Sequence, residues 1–171
     1  GVRTAKLGDV AKADYAANAG SVLTHCQTGP GAIAGAEGYH WRKPGKFTGV
    51  VYERSMCRPA QIHDGTSNTY LFGEKYLNPD DYTGWNGVGD AQPMYIGCDP
   101  DVLRYGNHSL PLLRDRPGHS ASRIFGGPHV SGCQFAFCDG SVRQVTWSVE
   151  LEVHRQLSHR KDGEAIDAAA F

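Results

Sequence analysis

The chain has 171 residues and no long hydrophobic run. No window approaches the roughly 18 consecutive apolar residues that a membrane-spanning helix requires. An excess of charge of one sign is missing as well: 17 Lys and Arg stand against 18 Asp and Glu, a formal net charge of −1. The basic residues are scattered, so the electrostatic footprint of a nucleic-acid-binding surface is lacking and no nucleic-acid partner is expected. There is no Gly-x-Ser-x-Gly elbow, no phosphate-binding glycine loop and no His-Glu-x-x-His, so the common catalytic signatures are excluded. No Cys-x-x-Cys spacing occurs, which removes a zinc knuckle. Glycine, by contrast, is abundant at 22 residues, within an ordinary 40% apolar and 20% charged composition. That balance suits a globular protein of turns and short strands, and the length suits a single domain over 1–171.

The firmest local element is a hairpin over 131–147. A run from Cys133 to Cys138 meets Asp139-Gly140, and a second run, Ser141 to Trp147, leads away. Asp-Gly between two such runs favours a primed two-residue turn, with positive φ at both central residues. In that register Phe137 faces Val142, Phe135 faces Gln144, and His129 falls opposite Glu150. Ten residues of strand then hold His129 about 30 Å from Asp139. Ser148 is placed to cap a helix over 149–161, with Val153 and Leu157 on one face and Gly163 as its stop. Further strands are expected at Phe47–Tyr52 and Thr69–Lys75, a short strand or turn at Tyr15–Val22, and short strands near Pro93–Ile96 and Val102–Tyr105. Residues 1–12 form an irregular lead-in, and 24–46 and 77–127 are long loops. The sum is an α+β fold dominated by β: an antiparallel sheet with long Gly-rich loops and a short C-terminal helix.

Candidate chemistry concentrates in a few places. Asp64-Gly65-Thr66-Ser67-Asn68 is dense in turn formers whose side chains bond neighbouring amides. The oxygens of Asp64, Ser67, Asn68 and Glu74 also form a candidate calcium set. His129, Asp139 and Gly140 are assigned structural roles, with a hydrogen bond from His129 to Glu150. Gly73 joins these as a structural residue, and no catalytic residue is assigned. Tyr39, Trp41, Tyr82 and Trp85 sit in polar loops, where aromatics suit contacts with carbohydrate or protein.

Four ordered blocks carry a family resemblance. They are Ala13-Asp14-Tyr15-Ala16-Ala17-Asn18-Ala19-Gly20-Ser21, the strand Phe47–Tyr52 with the motif Ile62–Lys75, His129 followed after nine residues by Asp139-Gly140, and the closing Asp162-Gly163-Glu164. Together they resemble the prepilin-type processing-associated His-x(9)-Asp-Gly domain, which overlaps the planctomycete DUF1559 family. Members usually begin with a Phe-Thr-Leu-Ile-Glu segment and a long apolar helix, whereas this sequence begins Gly1-Val-Arg-Thr. It is therefore expected to be the soluble carboxy-terminal head of something longer. The resemblance implies an extracytoplasmic, pseudopilin-like head that is not an enzyme and contacts other protein subunits of a secretion or surface filament system. It would do so through 77–127 and the tip at 35–46. Exported proteins keep disulfides, which makes Cys26, Cys57 and Cys98 the candidates for pairing. Cys133 and Cys138, five apart on one strand and so about 16 Å apart, are not expected to bond to each other. Two alternatives stand beside this reading: a carbohydrate or small-solute binding module using the loop aromatics, and a metal-dependent hydrolase built on His129 with Asp64 or Glu74.

Overall fold

The computed structural model describes residues 11–84 and 87–171. Among these residues are seven strands: β1 (Tyr15–Asn18), β2 (Tyr70–Glu74), β3 (Leu103–Arg104), β4 (Leu113–Arg114), β5 (Gly126–Gly127), β6 (Gly132–Phe137) and β7 (Val142–Thr146). One α-helix, α1 (Leu151–Ser158), follows them. A five-stranded sheet runs β3-β1-β2-β6-β7, and β4 pairs with β5 in a separate ribbon. The α+β class with a short C-terminal helix is as the sequence predicts. The sheet is mixed, however, because β3 joins β1 in parallel while the other three pairings are antiparallel.

Alternation along β6 builds the core. Cys133, Phe135 and Phe137 are completely buried and pack with Tyr70, Phe125, Val145 and Leu157. Tyr70 stacks on Phe135 at 3.9 Å between ring centroids, a pairing worth more than its buried area alone. Gly73 is what lets β2 lie against this cluster. A Cβ there would come within 2.4 Å of the Phe135 ring and 2.8 Å of Phe125.

The hairpin is where the sequence places it, but its loop has three residues rather than two. Phe137 N–H donates to Ser141 O, and Gly140 N–H to Phe137 O. This moves the register by one, so Phe135 faces Arg143 and Ala136 faces Val142. The reason is local: only Gly140 has positive φ (86°) and Asp139 does not, as in a type I turn followed by a left-handed glycine.

Three other expectations change. Phe47–Tyr52 is not a strand; Arg160 donates to the carbonyls of Phe47 and Gly49, holding the segment as a bend. Pro93–Ile96 is a turn. The helix starts at Leu151 with Glu150 before it and no side-chain cap, while Ser148 Oγ lies 3.3 Å from Thr146 Oγ1.

Asn18 ties the layers together. Its buried amide donates to Tyr70 O at 2.9 Å and Ser158 O at 3.0 Å, and its side-chain oxygen accepts from Gly20 N–H. The Asn18→Leu change removes the buried amide donor to Tyr70 O and Ser158 O and the acceptor of Gly20 N–H, so chemical denaturation should show a loss of about 2–3 kcal/mol. A loss under about 0.5 kcal/mol, the scale of a neutral surface change, would remove Asn18 from this role.

Candidate functional site

A cleft of about 420 Å³ opens beside the ends of β1 and β2. Register sets Tyr15 directly across from Glu74, and Lys75 N–H donates to Asp14 O. The loop after β2 and the segment around β4 and β5 complete the walls, with Leu77, Tyr82, Val88 and Pro128 as the apolar surface.

The polar groups form three linked sets. Glu74 Oε1 lies 2.8 Å from His129 Nε2, and Glu74 Oε2 accepts from Gln134 N–H at 2.7 Å. Asp115 accepts from Leu77 N–H at 3.1 Å and from the Tyr82 hydroxyl at 2.5 Å. Burial raises the Asp115 carboxyl above its ordinary value, opposed by those two donors. Burial and then the neighbouring Asp115 raise the Tyr82 hydroxyl. Along the inner wall, Asp90 pairs with Lys75 at 2.5 Å and Lys12 at 3.2 Å. Burial lowers Lys75, although Asp90 holds its charge. Behind it the buried Arg104 donates to Gly89 O at 3.1 Å and to Pro100 O, and burial brings its guanidinium down to about 10.

Among the described residues the cleft is lined by Asp14, Glu74, Asp81, Asp90 and Asp115 against two cations, Lys12 and Lys75. Among the described residues the carboxylates of Asp14 and Asp81 make no hydrogen bond or ion pair. The arrangement is rich in acceptors and suited to holding donors or positive charge.

The sequence-derived candidates fall in separate places. His129 pairs with Glu74 and not with Glu150, because the bend at 128–131 turns it toward the end of β2. Asp139 serves the hairpin loop: both its Ser141 bonds, to N–H and to Oγ, hold its carboxyl low, helped by Arg143. Asp64 accepts from Asp162 N–H at 2.7 Å and Gly163 N–H at 2.9 Å. Around it Thr69 Oγ1 donates to Gly65 O, and Asn68 to Asp64 O. Thr66 O accepts from Asp139 N–H, and Ser67 O from Arg143. The motif thus works as a turn clasping the hairpin tip and the chain after α1. Glu74 lies at the far end of β2, about 20 Å of chain beyond Asn68, so the four proposed calcium oxygens are not collected at one point.

Among the described residues, the metal-compatible group is instead Asp64, His159 and Asp162, with ligand atoms within 4.8 Å of one another. Each already has a protein donor: His159 Nδ1 accepts from Lys161 N–H, and Asp162 Oδ2 from Arg155 at 3.0 Å. No third ligand joins Glu74 and His129 among the described residues. The aromatics are also divided. Tyr39 packs on Trp41 at 4.6 Å beneath Arg54, Tyr82 lies in the cleft, and Trp85 is outside the described residues. Sequence reasoning missed Asp90 and Asp115, whose partners lie 15 and 38 residues away. No local pattern marks either one.

A second surface is an apolar row across the sheet. Leu103, Ala17, Phe72, Ala136 and Val142 are successive cross-strand neighbours, so they share the face opposite the aromatic core. At the β3 end the row is covered: Ala17 and Leu103 are buried and pack with Cys26 and Cys98, which form a disulfide. At the other end it is open, with Phe72 44% and Val142 69% exposed.

With these sites in place, one comparison is informative. The family model described as protein of unknown function (DUF1559) matches residues 8–152. The chain belongs to that family. No curated protein and no solved structure matches it, and no helix among the described residues is long and apolar enough to cross a membrane.

Proposed function

We propose that this chain is an extracytoplasmic, non-enzymatic interaction domain, a pseudopilin-like head that docks an apolar segment of another subunit. The observation that carries the reading is the open half of the apolar row, Phe72, Ala136 and Val142. Sheet faces are stabilised by a covering layer, and a single exposed Phe or Val is ordinary, but an in-register row running out from a buried cluster is not. A strip about 10 Å long across two strand spacings is the scale of two turns of one face of a helix. The Cys26–Cys98 bond supports an oxidising compartment.

The test is a photo-crosslinking amino acid at Val142 in cells that make the protein, with the same group at Ile33, which is 95% exposed, as the control. A discrete protein adduct at position 142 and none at 33 is the expected result. Equal, diffuse labelling at both positions would remove the docking surface.

A further inference from the structure

We propose that the cleft beside β1 and β2 is a binding site for a small organic cation, an ammonium or guanidinium group on a short aliphatic body. Three observations converge. Its volume of about 420 Å³ falls within the range of small-molecule sites. Its wall is amphipathic: Tyr15 and Tyr82 are 57% and 50% exposed and Val88 is 54% exposed, offering aromatic and apolar surface to an aliphatic chain. Aromatic faces also attract cations.

The third observation is the charge distribution. Lys12 and Lys75 are both engaged by Asp90 and Glu74 is met by His129, which leaves Asp14, Asp81 and Asp115 lining the cleft without a matching cation among the described residues. Glu74 and Asp115 are held in fixed orientation by Gln134, Leu77 and Tyr82, so their oxygens are preorganised. Asp14 and Asp81 have no side-chain partner among the described residues, and a charged donor in the cleft would supply one. A sugar or other neutral polyol would find the acceptors but would leave that negative charge uncompensated. The site is independent of the open sheet row, so the docking reading can fail without touching it.

The probe is agmatine, titrated calorimetrically into the purified chain at low ionic strength, with glucose and acetate as comparison ligands. One saturable site with a Kd of about a millimolar or tighter is expected, weakening as salt is added. The double variant Asp14→Asn with Asp81→Asn, whose side chains make no hydrogen bond or ion pair among the described residues, should keep the melting temperature and bind at least about tenfold more weakly, as the loss of a charge-assisted contact requires. Chemical-shift changes on agmatine addition should centre on Tyr15 and Tyr82. No saturable binding, unchanged affinity in the double variant, or tighter binding of glucose than of agmatine would each overturn the proposal.

Discussion

Reduction of the Cys26–Cys98 bond is expected to lower stability by about 4 kcal/mol, the loop-closure value for a bridge of this span. The two cysteines are 72 residues apart, and Cys57, Cys133 and Cys138 are free, so a reductant acts on one bond alone. Its structural reach is wide. The bond holds the 24–28 segment over Ala17 and Leu103, and Cys98 leads directly into β3, which pairs with β1 through only two register positions. Denaturant midpoints with and without reductant should differ by the stated amount, and the double variant Cys26→Ser with Cys98→Ser should reproduce the reduced protein. Amide exchange should accelerate first at 102–105. A shift under about 1 kcal/mol, well below the usual 2–4 kcal/mol for such bridges, would mean that the loop holds its place without the bond.

Acid is expected to destabilise the fold through His154. This imidazole is completely buried among Tyr70, Phe125 and Phe135, and burial brings it down to about 4. Its Nε2 has no hydrogen-bond partner among the described residues, and Nδ1 lies 3.5 Å from the Tyr70 hydroxyl. Between about pH 6.5 and 4 the unfolded chain takes up a proton that the folded chain refuses, so stability falls as pH falls across that window. The drop from this one group is about 3 kcal/mol, or about 10 °C in melting temperature for a chain of this length.

Other groups act nearby. His159 is also lowered by burial and adds in the same direction. Asp101 and Asp115 are raised by burial and act oppositely. Glu152, held near 2 chiefly by Arg155, gives up its contribution only at lower pH. The difference between the native chain and His154→Gln isolates His154, since the other groups are common to both. Parallel melting curves for the two proteins from pH 7 to pH 4 would refute the assignment.

What the sequence makes readable here is what is local. Asp139-Gly140 announces a hairpin because its turn chemistry lies within a few residues, and α1 follows from spacing over two turns. The loop length came out one residue short because Asp-Gly is compatible both with positive φ at two positions and with positive φ at glycine alone. Phe47–Tyr52 has the composition of a strand, yet Arg160, more than 100 residues away, decides its path. The same holds for the site. Glu74 and His129 are each prominent in the sequence, but their pairing crosses 55 residues, and the Asp115 and Asp90 contacts that shape the cleft leave no mark in spacing. The turn role of Asp64 was legible in its neighbours; that it clasps Asp162 and Gly163 was not.

The placement of Asn18 has a kinetic side. β1 is made before all of its partners, which are β2, β3 and, through the Asn18 amide, the carbonyl of Ser158, 140 residues downstream. Only the β6–β7 hairpin and α1 can form from neighbouring chain. Contacts this distant in sequence slow folding, because the entropy of closing long loops is spent before the contacts compensate it. The edges of β1 therefore stay unpaired until segments more than 50 residues downstream have been made, and the Asn18 contact with Ser158 waits longer still.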